Sequence, residues 1–177
     1  MISGEANSIF TIVLWNYFAL IVNVVGFVII YMKANRNASL KAFFVVQGSM
    51  IIWLVGKIFK TVSPTVELRW FFIVLYYFGI CLLGASFLDF AYTYYKGKWM
   101  KIKFKLVIYT IAVLEFALVA TNPHHFKFYK IFNFRDDDFG MLFYVYLGVN
   151  YLLLITGTVL CSLKFSRQLK DLSLIHI

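Results

Sequence analysis

Five apolar stretches divide the chain at near-regular intervals: Ile9–Met32, Leu40–Phe59, Trp70–Tyr95, Phe104–Ala120 and Gly140–Leu163. Each is close to the ~20 residues that a helix needs to cross a bilayer. Hydrocarbon offers no partner to backbone N–H and C=O groups, so segments this apolar cross as helices. A closed barrel is the other membrane solution, but its strands alternate apolar and polar positions. Phe71–Leu83 and Tyr151–Leu160 are apolar on all sides, which fits helices facing lipid and one another. The pattern predicts an all-α integral membrane helical bundle, with residues 1–171 as one membrane region.

Composition agrees with that reading. The 177 residues are 62% hydrophobic and only 14% charged, with a mean hydropathy of +0.81. A soluble domain of this size has nowhere to hide so much apolar surface. Many aromatics stand near span ends (Trp15, Tyr31, Trp70, Tyr94, Tyr95 and Trp99), where amphipathic rings favour the headgroup layer. The net charge of +9 would suit nucleic acid, but most basic residues flank spans, where anionic lipid is the expected partner. No nucleic-acid partner is expected. Cys81 and Cys161 fall inside apolar spans and read as small packing residues rather than a disulfide.

The connections set the orientation. Lys33, Arg36 and Lys41 lie in the first, Lys96, Lys98, Lys101, Lys103 and Lys105 in the third, and Lys164, Arg167 and Lys170 after the fifth span. Asp171 is the only acid among these eleven basic residues. The opposite side holds six (Lys57, Lys60, Arg69, Lys127, Lys130 and Arg135), together with Glu5, Glu67, Asp136, Asp137 and Asp138. The richer side is predicted to be cytoplasmic, which puts the N-terminus outside and the C-terminus inside. Met1–Asn7 carries no Lys or Arg, so the first span is expected to be a helix of the mature protein, not a secretory leader. On the outer face, Lys60–Arg69 turns at Pro64, and Thr121–Phe139 opens with the turn signal Asn122–Pro123. His125–Phe134 interleaves aromatics with Lys and predicts a short interfacial helix.

Polar residues inside the spans are the candidates for chemistry, because a charge there costs on the order of 2.5–3.5 kcal/mol. Asp89, late in the third span, has two readings: it pairs at the surface with a lysine of the next connection, such as Lys96 or Lys98, or it belongs to a buried polar switch linking the bundle to the cytoplasmic side. Glu115 has no charge near it on its own helix. Two readings stand: it hydrogen-bonds within the bundle, with Lys57 as a partner, or it lines a pocket open to the outside. Asn16, Asn23, Gln47 and Asn150 predict hydrogen bonds between helices. Gly48 and Gly56, Gly84–Ala85–Ser86 and Thr156–Gly157–Thr158 predict close helix contacts. His124 and His125 are adjacent, so on a helix they point about 100° apart and do not chelate one ion; a capping or hydrogen-bonding role for Asn122 and His125 at the membrane boundary is expected instead. Asp136–Asp138 lacks a recognised ion-binding spacing, and no metal or cofactor is expected. A Gly-rich phosphate loop, a nucleophile elbow, H-E-x-x-H and paired carboxylates are all missing from the sequence. The chain is therefore expected to catalyse nothing by itself.

Several residues together carry a resemblance. They are the basic first connection, Trp53 in the second span, Arg69–Trp70 opening the third, and Phe87, Leu88, Phe90 and Tyr94 at its exit. Thr121–Asn122–Pro123–His124–His125 after the fourth span and Arg167–Gln168 after the fifth complete the set. The chain resembles the N-terminal seven-transmembrane sensor region of bacterial histidine kinases, which also precedes some diguanylate cyclases. Thr-Asn-x-x-His is the most specific element. The resemblance covers nearly the whole chain, but only through the fifth helix of seven. It implies a multi-pass protein of the bacterial cytoplasmic membrane that takes an extracellular or intramembrane signal, a small ligand or a membrane stimulus, to a cytoplasmic output module. It also implies a homodimer. The implied ligand-binding residues are Trp53, Lys57, Arg69, Trp70, Glu115, Asn122, His124 and His125, with Asp89 and Asn150 as intramembrane polar positions. A small transporter or a subunit of a membrane complex is the alternative. Both prolines lie in outer loops, however, and no pair of spans is broken near the midplane as transporters often are. Leu172–Ile177 reads as translated sequencing-adapter sequence, so the natural chain is expected to end near Lys170 or Asp171. A topology reporter fused within Lys96–Lys105 is expected to stay in the cytoplasm, and its export would reverse the orientation.

Overall fold

The computed structural model describes residues 2–34, 37–131 and 137–175. Arg36, Arg135, Asp136 and His176 lie outside the described residues. Each predicted span is helical: α1 (Ile2–Lys33), α2 (Ala38–Val62), α3 (Val66–Lys96), α4 (Ile102–Ala120) and α6 (Met141–Ile175). Between α4 and α6 come the single turn α5 (Asn122–His125) and a two-stranded antiparallel hairpin, β1 (Tyr129–Ile131) and β2 (Asp138–Phe139). The interfacial helix expected over His125–Phe134 does not form across the described part of that segment. Phe126 adopts a left-handed conformation with φ 52°, which stops α5 after one turn. Beyond it Phe128 and Tyr129 are buried while Lys130 and Ile131 are exposed.

Local signals explain the helix ends. Asn37 caps α2, its side chain accepting the Leu40 N–H at 2.8 Å. Pro64 cannot continue α2, and Thr65 caps α3 by accepting the Leu68 N–H at 3.3 Å. At the other end, α3 stops at Gly97, whose φ is 69°. Four helices are long and apolar enough to cross a membrane, over Phe10–Lys33, Ala38–Val62, Val66–Lys96 and Met141–Leu169. The remaining one, α4, has 19 residues and carries Lys103, Lys105 and Glu115. It is about 28 Å long at 1.5 Å per residue, against a hydrocarbon core of roughly 30 Å. Phe10, Phe71, Leu114 and Leu152 are among many large apolar side chains left exposed. That surface is what a lipid solvent permits and water does not.

The centre of the bundle is α3, which packs against α2, α4 and α6, while α1 leans on α2. The α2–α3 contact is backbone on backbone. A Cβ added at Gly56 would stand 2.6 Å from the Tyr76 nitrogen, and one at Gly79 would stand 2.5 Å from the Trp53 nitrogen. Small residues allow this approach. Gly48 takes no part, since a Cβ there would meet nothing within 4 Å. Asn16 and Asn23 do not bridge helices either. Their amides donate to the Ile12 and Ala19 carbonyls of their own helix at 2.6 and 2.9 Å, the back-bonding open to a polar side chain on a lipid-facing helix. In the half that carries the hairpin, an aromatic core closes the bundle: Tyr77 meets Phe128 and Tyr146 edge-on, at ring centroid distances of 5.1 and 5.6 Å. Such rings add about 0.5–1.5 kcal/mol per pair beyond their burial. Gly56→Ala is expected to destabilise the bundle by about 1–3 kcal/mol. Gly48→Ala is expected to stabilise it by up to ~1 kcal/mol through helix propensity. Thermal unfolding in detergent distinguishes the two signs.

Candidate functional site

Thr121–Asn122–Pro123–His124–His125 closes the C-terminal end of α4 and ties it to the hairpin. Asn122 is 3% exposed. Its Oδ1 accepts the Phe128 and Tyr129 N–H groups, both at 2.9 Å, and its Nδ2 donates to the Tyr129 carbonyl at 3.2 Å. One amide thereby satisfies three backbone groups that the buried loop would otherwise leave without partners. The His125 ring works in the same way. Nδ1 accepts the Lys127 N–H at 2.9 Å, and Nε2 lies 3.1 Å from the Leu118 carbonyl. The neutral ring with its proton on Nε2 satisfies both contacts. Thr121 Oγ1 donates back to the Ala117 carbonyl at 2.6 Å. His124 is exposed. The motif is thus a latch that holds the hairpin on the bundle, and Asn122 and His125 act through backbone groups.

The latched hairpin roofs a cleft of about 430 Å³ between α2 and α6, floored by α3. Its walls are mainly aromatic, with Tyr76, Tyr77, Tyr129, Phe143 and Tyr146 among them. The Tyr77 and Tyr129 hydroxyls are 2.8 Å apart. Burial holds the Tyr129 phenol well above its ordinary range, although the hydrogen bond to Tyr77 works against that shift. Lys60 and Asp137 stand at the hairpin end of the cleft, and Leu83, Tyr151 and Leu154 at the opposite end. The Lys60 ammonium lies 4.6 Å from the centre of the Tyr76 ring, within range of a cation–π contact.

Of the expected site residues, Trp53 lines this cleft, and Lys57 lies over its ring at 5.7 Å. Arg69 Nη2 donates to the Ser63 carbonyl at 3.0 Å across the Pro64 turn. Trp70 meets Tyr129 edge-on at 6.3 Å. These two brace the rim. Glu115 is not paired with Lys57. Its Oε2 accepts from Asn150 Nδ2 at 2.9 Å, and Asn150 in turn lines the cleft. The reason is helix order: α4 and α6 both flank α3, and Gly84 leaves room where they meet. A Cβ at Gly84 would come 2.7 Å from Asn150 Oδ1. Lys60 and the tyrosines were not singled out in the sequence. Lys60 reads there as one more loop cation, and tyrosines at span ends read as interface anchors.

Asp89 belongs to a separate site near the other end of α3. It is 1% exposed, and its partner is neither Lys96 nor Lys98. Lys105 Nζ lies 2.7 Å from Asp89 Oδ2, and the Tyr109 hydroxyl donates to the same oxygen at 3.4 Å. The Lys105 ammonium also lies over the rings of Trp99 and Tyr109, at 5.0 and 5.7 Å. Because α4 runs back along α3 after a short turn, a lysine on the first turn of α4 comes level with Asp89. Lys96 and Lys98, at the turn itself, are exposed. Among the described residues no three of His, Cys, Asp and Glu converge as a metal site.

A central helix, flanking helices long and apolar enough to cross a membrane and a latched hairpin roof define a multi-pass helical membrane protein. The model of the N-terminal 7TM region of histidine kinase matches residues 16–172, and the chain belongs to that family. No curated protein and no solved structure gives a significant match. The 7TM region is a non-catalytic membrane part of its proteins. Asn122→Ala would leave the Phe128 and Tyr129 N–H groups unbonded, so it is expected to cost about 2–4 kcal/mol. His124→Ala is expected to stay within about 0.5 kcal/mol. Thermal unfolding, together with proteolysis at Lys127 and Lys130, checks both.

Proposed function

We propose that this chain is the sensory input region of a bacterial signal-transduction protein of the histidine kinase type. It takes up an extracellular or intramembrane signal at its outer half and passes it to a cytoplasmic output module outside this chain. In this reading all five long helices cross the cytoplasmic membrane, with the N-terminus outside and the lysine-rich connections inside. The protein works as a homodimer. Trp53 and, through Asn150, Glu115 belong to the input site, while Arg69, Trp70, Asn122 and His125 hold its shape.

The observation that carries the proposal is the pairing of α3 with α6 at both of their ends. Around the outer cleft they meet through Tyr77 and Tyr146. Near the inner end, the Tyr94 hydroxyl donates to Gln168 Oε1 at 3.3 Å, and the Arg167 guanidinium lies 5.0 Å from the centre of the Tyr95 ring. A change in how α6 rests against α3 at the cleft therefore reaches α6 where it leaves the membrane. Such an input works by favouring one of two arrangements over the other.

A fusion of the chain, joined after Lys170, to the cytoplasmic module of a histidine kinase tests the proposal. Tyr94→Phe removes one weak hydrogen bond. It is expected to change autophosphorylation by about threefold, the effect of roughly 0.7 kcal/mol on a two-state balance. Autophosphorylation that is indifferent to both Tyr94→Phe and Gln168→Ala would overturn it.

A further inference from the structure

The outer cleft has a shape and charge that name a class of ligand. Along α6 it runs from Phe143 to Leu154, about 16 Å at 1.5 Å per residue. That is long for its volume of about 430 Å³, so the cleft is a slot. α2 and α6 pack on either side of α3 and make at most marginal contact with each other, which leaves the slot open sideways between them. Tyr151, at its inner lip, is 56% exposed. Between helices in a bilayer such an opening gives onto the apolar layer of the membrane rather than onto water. The far end, at Leu83 and Leu154, is largely apolar, with Asn150 and Tyr151 as its polar residues.

The mouth is different. Lys60 is half-buried there on the Tyr76 ring. Lys57, one turn away, is close enough to repel it. Asp137 is the described carboxylate beside them, and Asp138 is engaged by Lys130 at 3.8 Å. Among the described residues Lys60 thus stands beside one carboxylate, Asp137, with a second ammonium, Lys57, close behind it, so positive charge outweighs negative around Lys60.

We infer that the slot between α2 and α6 binds a single-chain amphiphile with an acidic head, of the fatty-acid class, which enters from the outer leaflet. Its carboxylate sits against Lys60 at the mouth, and its chain lies along the tyrosine wall toward Leu83 and Leu154. The inference rests on the proposed sensory reading only in making this slot the input site. The head supplies the negative charge that the mouth lacks, and the charge-assisted contact is sheltered by the hairpin. The chain fills an apolar trough with a flexible body, at little cost in desolvation.

The test uses the full chain in phosphatidylcholine nanodiscs, with Trp15, Trp70 and Trp99 replaced by Phe so that Trp53 is the reporter. Chain-brominated dodecanoate is the probe, and the matching brominated dodecanol is its uncharged counterpart. The acid is expected to quench Trp53 saturably. Lys60→Gln should weaken its binding by about tenfold or more, the effect of losing a hydrogen bond to a charged group. Lys60→Arg should restore it, and Lys98→Gln, at the exposed turn after α3, should leave it unchanged. The alcohol should bind the parent chain no better than the acid binds Lys60→Gln. Quenching that rises without saturation, or that is the same for acid and alcohol, marks simple partition into lipid and overturns the inference. Saturable binding indifferent to Lys60 overturns it as well. Saturable, Lys60-dependent binding that leaves the fused kinase unmoved supports the slot and counts only against the sensory reading.

Discussion

A helix surrounded by hydrocarbon has to settle every polar group it carries, either with itself or with a neighbouring helix, and α3 is where this chain does so. Ser86 meets Ser49 of α2 at 3.4 Å. Asp89 is held from α4 by Lys105. Gly84 makes the space in which Asn150 of α6 reaches Glu115 of α4. None of these contacts is large in energy, since hydrogen bonds between membrane helices contribute only about 0.6–2 kcal/mol each. Their weight lies in what happens if they are lost, because a charge or amide stranded in lipid has no water to turn to.

The outer roof follows from the same constraint. A loop that folds back over a bundle carries backbone N–H and C=O groups into a place where water is scarce. Asn122 and His125 are the means by which this one remains buried. Their side chains stand in for a third strand beside a hairpin too short to satisfy itself. The aromatic residues that then close over α3 form the walls of the cleft. The roof and the site are therefore built from the same residues, and the cleft would lose its outer wall if the latch opened.

Helices were legible in the sequence because apolar length is a strong signal, and all five predicted spans are helical. The ends were legible too, from Pro64, Thr65 and Gly97. The contacts between helices were not. Glu115 and Lys57 are both charged and both lie toward the outer half, so pairing them was reasonable on charge alone, but the order of helices around α3 puts Asn150 there instead. Asp89 was expected to meet a lysine of the third connection, and it meets Lys105 rather than Lys96 or Lys98, because the tight turn brings the first turn of α4 alongside. The hairpin was read as a helix because interleaved aromatic and basic residues fit an interfacial helix as well as a strand. Thr-Asn-x-x-His drew attention correctly, but as a family signature, which does not say whether its residues face a ligand or their own backbone.

The charged clamp near the inner end of α3 bears on movement. Sliding α4 along α3 by one turn would pull Lys105 out of its ring of Trp99, Tyr109 and Asp89 and leave a carboxylate facing hydrocarbon. With Phe78 against Phe116 at 5.2 Å midway along, and the latch at the outer end, α4 is pinned to α3 at three heights. The α2–α3 seam is pinned by its glycines. α6 is held to this frame by rings, by Gln168 and Arg167 toward its far end and by Asn150, so any shift of it has to keep Glu115 bonded to that amide.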